Sequence, residues 1–168
     1  MKADDIVKPI GLFPSLLTVL SLAVVVFAQS KPSDRAIIIS SAEKEAVEAL
    51  NFRQGDRASL KHARIYFTPE GWKSFVEQMQ GFLDKDGAPT FTSSFVATKE
   101  PVFLDEKNEV VHFRIAGTLT QTQGASRTTY RAALEVYATR DLMVHAGSSI
   151  KIQHLEQIAC AGKSSACE

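Results

Sequence analysis

An α+β domain is what this 168-residue chain predicts, on three observations. Apolar residues recur at three- and four-residue spacing in the first half, with helix-capping signals ahead of them. Beyond Gly87 the period drops to two, with turn signals between the runs. Helices grouped ahead of strands exclude the alternating order of a doubly wound parallel sheet. The length supports one core and leaves little room for a second. The expected architecture is three helices packed on one face of a curved, four-stranded antiparallel sheet, over residues 40–159.

The N-terminus carries the targeting signal. Met1–Lys8 is polar, and Ile10–Ala28 contains no charged residue. Val26 and Ala28 stand at −3 and −1 to a cleavage point before Gln29, as signal peptidase requires, and Pro14 shortens the apolar core. The same 19 residues approach the roughly 20 that span a bilayer. Residues 1–28 are therefore read as a signal peptide or membrane anchor, and flanking charge does not choose between them. Either places the following domain in the periplasm or outside the cell. Residues 29–39 read as a linker and 160–168 as a C-terminal tail.

Ser40 with Glu43 three residues on spells a capping box, followed by Ala46, Val47 and Leu50 at helical spacing. Asn51–Asp56 breaks that helix, and Ala58–Tyr66 reads as a second. Thr68 is a good N-cap, with Pro69 at the first helical position and Glu70 complementing the helix dipole. Trp72, Phe75, Val76, Met79, Phe82 and Leu83 then form a wide apolar stripe. Such a stripe serves as core packing or lines a ligand cavity, and core is the commoner use.

Thr90–Thr98 places Phe91 and Phe95 on one face of a strand, and Asp105–Asn108 reads as a turn. Val111, Phe113, Ile115, Gly117 and Leu119 alternate with polar residues along a long strand. Gln123–Ser126 supplies its hairpin, and Tyr130, Ala132, Leu134, Val136 and Ala138 share one face of the return. Ile150–Ala159 is the last strand. The expected core is Trp72, Phe75, Met79, Phe91, Phe95, Phe113, Ile115, Leu134 and Val136.

Nineteen basic residues balance nineteen acidic ones, which gives no reason to expect a nucleic-acid partner. The two cysteines, Cys160 and Cys167, suit an oxidising compartment, where they would close a short disulfide loop. No Gly-rich phosphate loop, metal-spaced histidine pair or nucleophile elbow occurs, so no catalytic, cofactor-binding or metal-ligating residue is assigned. His62 lacks a carboxylate at orienting distance in sequence and reads as a surface residue. His154 and Glu156 share parity with Ile150, Ile152 and Ile158, but Leu155 on the opposite parity points to a β-bulge that turns the pair outward. His112 has no partner by spacing, and His145 reads as a loop residue. Arg53, Asp56, Arg57, Lys61 and Arg64 form a mixed-sign, solvated helix face.

Tyr66–Phe67–Thr68–Pro69–Glu70–Gly71–Trp72–Lys73–Ser74–Phe75 resembles the "yFTpeGW..F" signature of the DotI/IcmL/TraM family of type IV secretion and conjugation proteins. The likeness extends more loosely through Phe95–Val96–Ala97 and Pro101–Val102 to the long hairpin and the final strand, about Ala46–Ala159. It implies a periplasmic, cystatin-like, cone-shaped α+β roll of the kind also found in VirB-type inner-membrane assembly factors. It further implies a non-enzymatic role without cofactors, through contacts with other secretion-system subunits and with itself. Retention at the inner membrane by residues 10–28 is implied as well. A secreted small-ligand-binding or enzymatic roll is the alternative, using the space between the helix stripe and the sheet.

Overall fold

The structure, a computed structural model, describes residues 32–141 and 150–160. Three helices, α1 (Pro32–Ala49), α2 (Arg57–Ala63) and α3 (Pro69–Met79), precede five strands. These are β1 (Thr92–Ala97), β2 (Val102–Lys107), β3 (Val110–Gln123), β4 (Ser126–Arg140) and β5 (Ile150–Ala159), all paired antiparallel in one sheet. Short 3₁₀ segments, Arg64–Tyr66 and Gln80–Phe82, extend α2 and α3.

The first helix begins well before the Ser40 capping box. Residues 32–39, read as linker, are helical, because Pro32 opens the helix where a missing N–H costs nothing and Asp34 lies in its first turn. Ser40 and Glu43 sit inside it. Its buried apolar face is Ile38, Ala42, Ala46 and Ala49, with Glu45 buried as well, and the three alanines let the helix lie close on the sheet. Alanine carries little hydrophobic contrast, so this face is faint in sequence.

Asp56 caps α2, its Oδ1 accepting from the N–H groups of Ala58 and Ser59, both at 3.0 Å. Thr68 caps α3 as expected, accepting from the Gly71 N–H at 3.1 Å, and Pro69 stands at the first helical position. The segment entering α3 then docks along the outer edge of β5. Thr68 N–H donates to the Ile152 carbonyl at 3.0 Å, and Gln78 Nε2 donates to the Leu155 carbonyl at 3.1 Å. Lys151 Nζ donates to the Ile65 carbonyl.

The sheet order is β1-β3-β4-β5, with β2 also pairing with β3. The four-strand expectation is corrected to five, because the edge beside β3 is broken in two. β1 faces Gly117–Thr122, and β2 faces Val110–Arg114. The turn after β2 is Asn108–Glu109, not Asp105–Asn108, and both of its residues have positive φ, 52° and 64°. That is the type I′ geometry a two-residue hairpin favours. β2 escaped notice because its sequence runs from three apolar residues into three charged ones without alternating, and its half-buried positions are Leu104 and the charged Glu106. Arg35 of α1 clamps it, donating to Glu106 Oε2 at 3.0 Å with its guanidinium 4.2 Å above the Phe103 ring.

The other edges are covered, which removes unpaired strand groups from solvent. Phe52 exchanges two backbone hydrogen bonds with Ser93 of β1, and Asn51 Oδ1 accepts from the Phe95 N–H at 2.7 Å. Of the expected core, eight residues are buried, and Trp72 is half-buried against Phe67 and Phe75, with ring centroids 5.9 and 5.7 Å away. Phe82, from the same stripe, is 50% exposed. Gly117 is required by packing, since a Cβ there would run into the Phe95 ring and the Val96 carbonyl.

Candidate functional site

The polar face of the sheet carries a titratable cluster drawn from four strands. Asp105, His112, Tyr137 and His154 are cross-strand neighbours on β2, β3, β4 and β5. His112 stacks on Tyr137 with centroids 4.0 Å apart and planes 11° from parallel, and the Tyr137 and His154 rings lie 5.6 Å apart. His112 Nδ1 is 3.3 Å from Asp105 Oδ2, and its Nε2 is 3.3 Å from Glu135 Oε2. Arg114 donates to Glu135 Oε1 through Nε at 3.1 Å and Nη2 at 2.5 Å. His154 Nδ1 lies 3.4 Å from Ser74 Oγ on α3.

The electrostatics follow from these partners. Arg114's hydrogen bonds hold the Glu135 carboxyl below the usual carboxylate range, with His112 adding a smaller pull. Burial pushes the Tyr137 phenol up, and the charges of Glu135, Asp105 and Glu156 add to it. Both nitrogens of His112 face carboxylates, so the ring ties β2 to β4 rather than presenting a base to a substrate.

A bulge brings His154 into the row. The register shifts between Tyr137 and Ala138, so Gln153 is the extra residue, and Ile152 and Leu155 both turn inward. The bulge expected from Leu155 is therefore present, and His154 and Glu156 lie off the core face. The partners of His112 were missed at the level of sequence. Counting back from the Gly124–Ala125 turn would have paired it with Tyr137, since the hairpin register is unbroken along β3 and β4.

Beneath α3 lies a groove of about 200 Å³ whose apolar lining includes Phe75, Met79, Phe82 and Phe91. Trp72, expected among such residues, does not line it. Its polar lining is Gln78, Gln121, Tyr130 and Gln157, with no carboxylate or histidine among the described residues. The volume falls below the roughly 300–1,000 Å³ of typical small-molecule sites.

A third feature is an open cleft between α1 and α2, about 360 Å³, lined by Glu48, Asn51, Asp56, Ser59, His62 and Tyr66 among others. Burial and then the hydrogen bond to Glu48 push the Tyr66 phenol up to about 12. His62 is exposed, as expected, and meets Tyr66 edge-on at 5.9 Å. Asp56 is occupied in capping α2. Arg53, Arg57, Lys61 and Arg64 are exposed, which fits the solvated face read from sequence. Among the described residues no group of three or more His, Cys, Asp or Glu is placed to hold a metal ion, and no helix is long and apolar enough to cross a membrane.

Cys160 follows β5, its N–H donating to the Arg131 carbonyl at 3.1 Å. Cys167, His145 and the apolar segment 10–28 lie outside the described residues.

No family model and no curated protein matches the sequence. Solved structures do match the fold. The periplasmic domain of DotI superposes with a TM-score of 0.63 at 20% identity, covering 79% of this chain and 99% of that one. An IcmL-like type IV secretion system protein from Legionella pneumophila gives 0.57 at 13% identity, covering 79% and 97%. A periplasmic fragment of TraM gives 0.57 at 13% identity, covering 78% and 100%. The resemblance read from Tyr66–Phe75 is thus met in three dimensions.

Proposed function

We propose that this chain is a periplasmic, non-enzymatic structural or assembly component of a type IV secretion or conjugation system. It works through contacts with other subunits and with copies of itself, and its helices-on-sheet arrangement is read as the cystatin-like roll. The observation that carries this reading is the shared fold with the DotI periplasmic domain, which accounts for nearly the whole of that domain. The site chemistry agrees with it. The histidine, carboxylate and arginine side chains of the sheet face are engaged with one another, and the groove under α3 is lined by amides.

Residues 10–28 hold the domain at the inner membrane, because an anchored assembly factor works at high effective concentration beside its partners. A disulfide between Cys160 and Cys167 closes the tail. Reductant-dependent mobility of the purified protein tests that bond.

The decisive experiment combines deletion in the source organism with in-cell crosslinking. The expected result is loss of conjugation or effector transfer on deletion, and recovery of secretion-system subunits on crosslinking. Normal transfer in the deletion strain, with no such subunit recovered, overturns the reading. Fractionation with N-terminal sequencing tests the anchor. A soluble periplasmic protein starting near Gln29 refutes it.

A further inference from the structure

The edge strands of the sheet are covered, but β4 is longer than the strand beside it. β5 pairs with β4 only as far as Ala132, and the Cys160 N–H adds one more bond, to the Arg131 carbonyl at 3.1 Å. Alternate residues of a strand point their main-chain groups to the same side, so Thr129 and Arg127 face that way too. Among the described residues no hydrogen bond reaches their outward N–H or C=O groups, and residues 126–129 are exposed. We propose that this overhang of β4 takes up an extended, acidic segment of a partner protein as an added strand. The proposal rests on the protein-contact reading above for the existence of a partner.

Three observations carry it. The first is the open ladder. Unpaired N–H and C=O groups at strand spacing select a main chain in extended form. The overhang is held in place for it. Thr129 Oγ1 lies 3.1 Å from Thr120 Oγ1. Tyr130 Oη sits in a relay, accepting from Gln157 Nε2 at 2.9 Å and donating to Gln121 Oε1 at 3.5 Å.

The second observation is charge. Arg127 and Arg131 share the outer face of the sheet with Thr129, and both are exposed. Their cross-strand neighbours on β3 are Thr122 and Thr118, with Thr92 and Val96 of β1 beyond. Residues 118–131 include two arginines and no carboxylate. Glutamates four residues apart on an added strand meet both guanidiniums, and opposite charges across strands are stabilising.

The third observation sets two other occupants aside. A second copy pairing about Thr129 would bring Arg127 of each chain against Arg131 of the other, and like charges directly opposite are destabilising. The tail of this chain begins beside the overhang. However, the Cys160–Cys167 disulfide proposed above keeps the two Cα atoms within about 7 Å. Continuing along β4 would carry them about 23 Å apart, so the closed bond keeps the tail off the ladder.

The test is an NMR titration of the full, oxidised chain, isotope-labelled and followed at the Arg127 and Thr129 amides. Three probes are added: acetyl-Glu-Thr-Val-Thr-Glu-amide, the same peptide with its valine N-methylated, and acetyl-Lys-Thr-Val-Thr-Lys-amide. In the free protein both amides should exchange fast and keep their shifts as protein concentration rises. The acidic peptide should shift both saturably in the millimolar range and slow their exchange. N-methylation deletes one ladder bond and should weaken binding about fivefold or more. The lysine peptide should bind about tenfold more weakly. Arg127→Glu should erase that preference, and because the side chain is exposed the folded spectrum of the variant serves as its control. Slow exchange in the free protein would mean that the tail already covers the ladder, and concentration-dependent shifts that a second copy does. Either overturns the proposal, as do absence of saturable shifts, indifference to N-methylation or equal binding of the lysine peptide. No secretion-system subunit enters these measurements, so a failure of the overhang is distinguishable from a failure of the secretion reading.

Discussion

Gly71 approaches β5 so closely that a Cβ on it would lie 2.5 Å from the carbonyl oxygen of Ile152. The carbonyl oxygen of Gln153 would be 2.7 Å away, so the contact is with backbone that cannot swing aside. Glycine is therefore what allows the first turn of α3 to seat on the bulged strand. The same turn carries the Thr68 cap and the Thr68–Ile152 hydrogen bond. Replacing Gly71 by Ala is expected to destabilise the domain by about 1–3 kcal/mol through overpacking, despite alanine's better helix propensity. Gly81, which has open space around it and no positive φ, is the control. Gly81→Ala should be neutral or stabilise by up to about 1 kcal/mol. Denaturant midpoints of the two variants decide it, and equal midpoints would refute the packing argument.

The β2–β3 turn stores strain at Glu109. A non-glycine residue with φ 64° sits in the left-handed region, at a cost of about 1–2 kcal/mol. Its carbonyl accepts from Thr139 Oγ1 at 3.2 Å, a contact that uses only backbone of the turn residue. Glu109→Gly should raise thermal stability by the equivalent of about 0.5–1 kcal/mol, part of the relief being offset by glycine's greater freedom when unfolded. Unchanged or lower stability would show that the turn carries no such strain.

Asn51 closes the edge of β1. Removing its side-chain acceptor in Asn51→Ala leaves the Phe95 N–H without its partner and should cost about 1–3 kcal/mol. Asn51→Asp keeps an acceptor in the same place and should restore most of the loss. Hydrogen exchange at Phe95 provides the local readout: fast in the alanine variant, and slow in the wild type and the aspartate variant.

Acid should weaken the Glu135 network in a defined direction. The native carboxyl titrates below its unfolded value near 4.5, chiefly because Arg114 donates two hydrogen bonds to it. A depressed carboxylate contributes stability that is fully present above the unfolded value and is lost as pH falls through the native one. Stability curves of wild type and Glu135→Gln should therefore lie apart at neutral pH and converge below about pH 4.5. Parallel curves down to acid would show that the network contributes nothing to folding.

Local signals in the sequence determined much of this molecule. Thr68, Pro69 and Glu70 start α3 because each acts on backbone groups within one turn of itself. The alternation from Val111 to Leu119 and the Gly124 turn determine the long hairpin, since a period-two run with one buried face admits one register. The bulge in β5 was legible too, from Leu155 standing on the wrong parity.

Tertiary structure decided the rest. The half-buried face of β2 pairs Leu104 with the charged Glu106, so nothing in its own residues distinguishes it from a loop until β3 lies beside it and Arg35 closes over Glu106 and Phe103. The small-residue face of α1 becomes a packing surface only against a sheet close enough to need it. The Asp105–His112–Tyr137–His154 row and the Gln157–Tyr130–Gln121 relay each join side chains from three or more strands. Capping and periodicity report on neighbours a few residues away, whereas these contacts exist only once strands distant in sequence are in register.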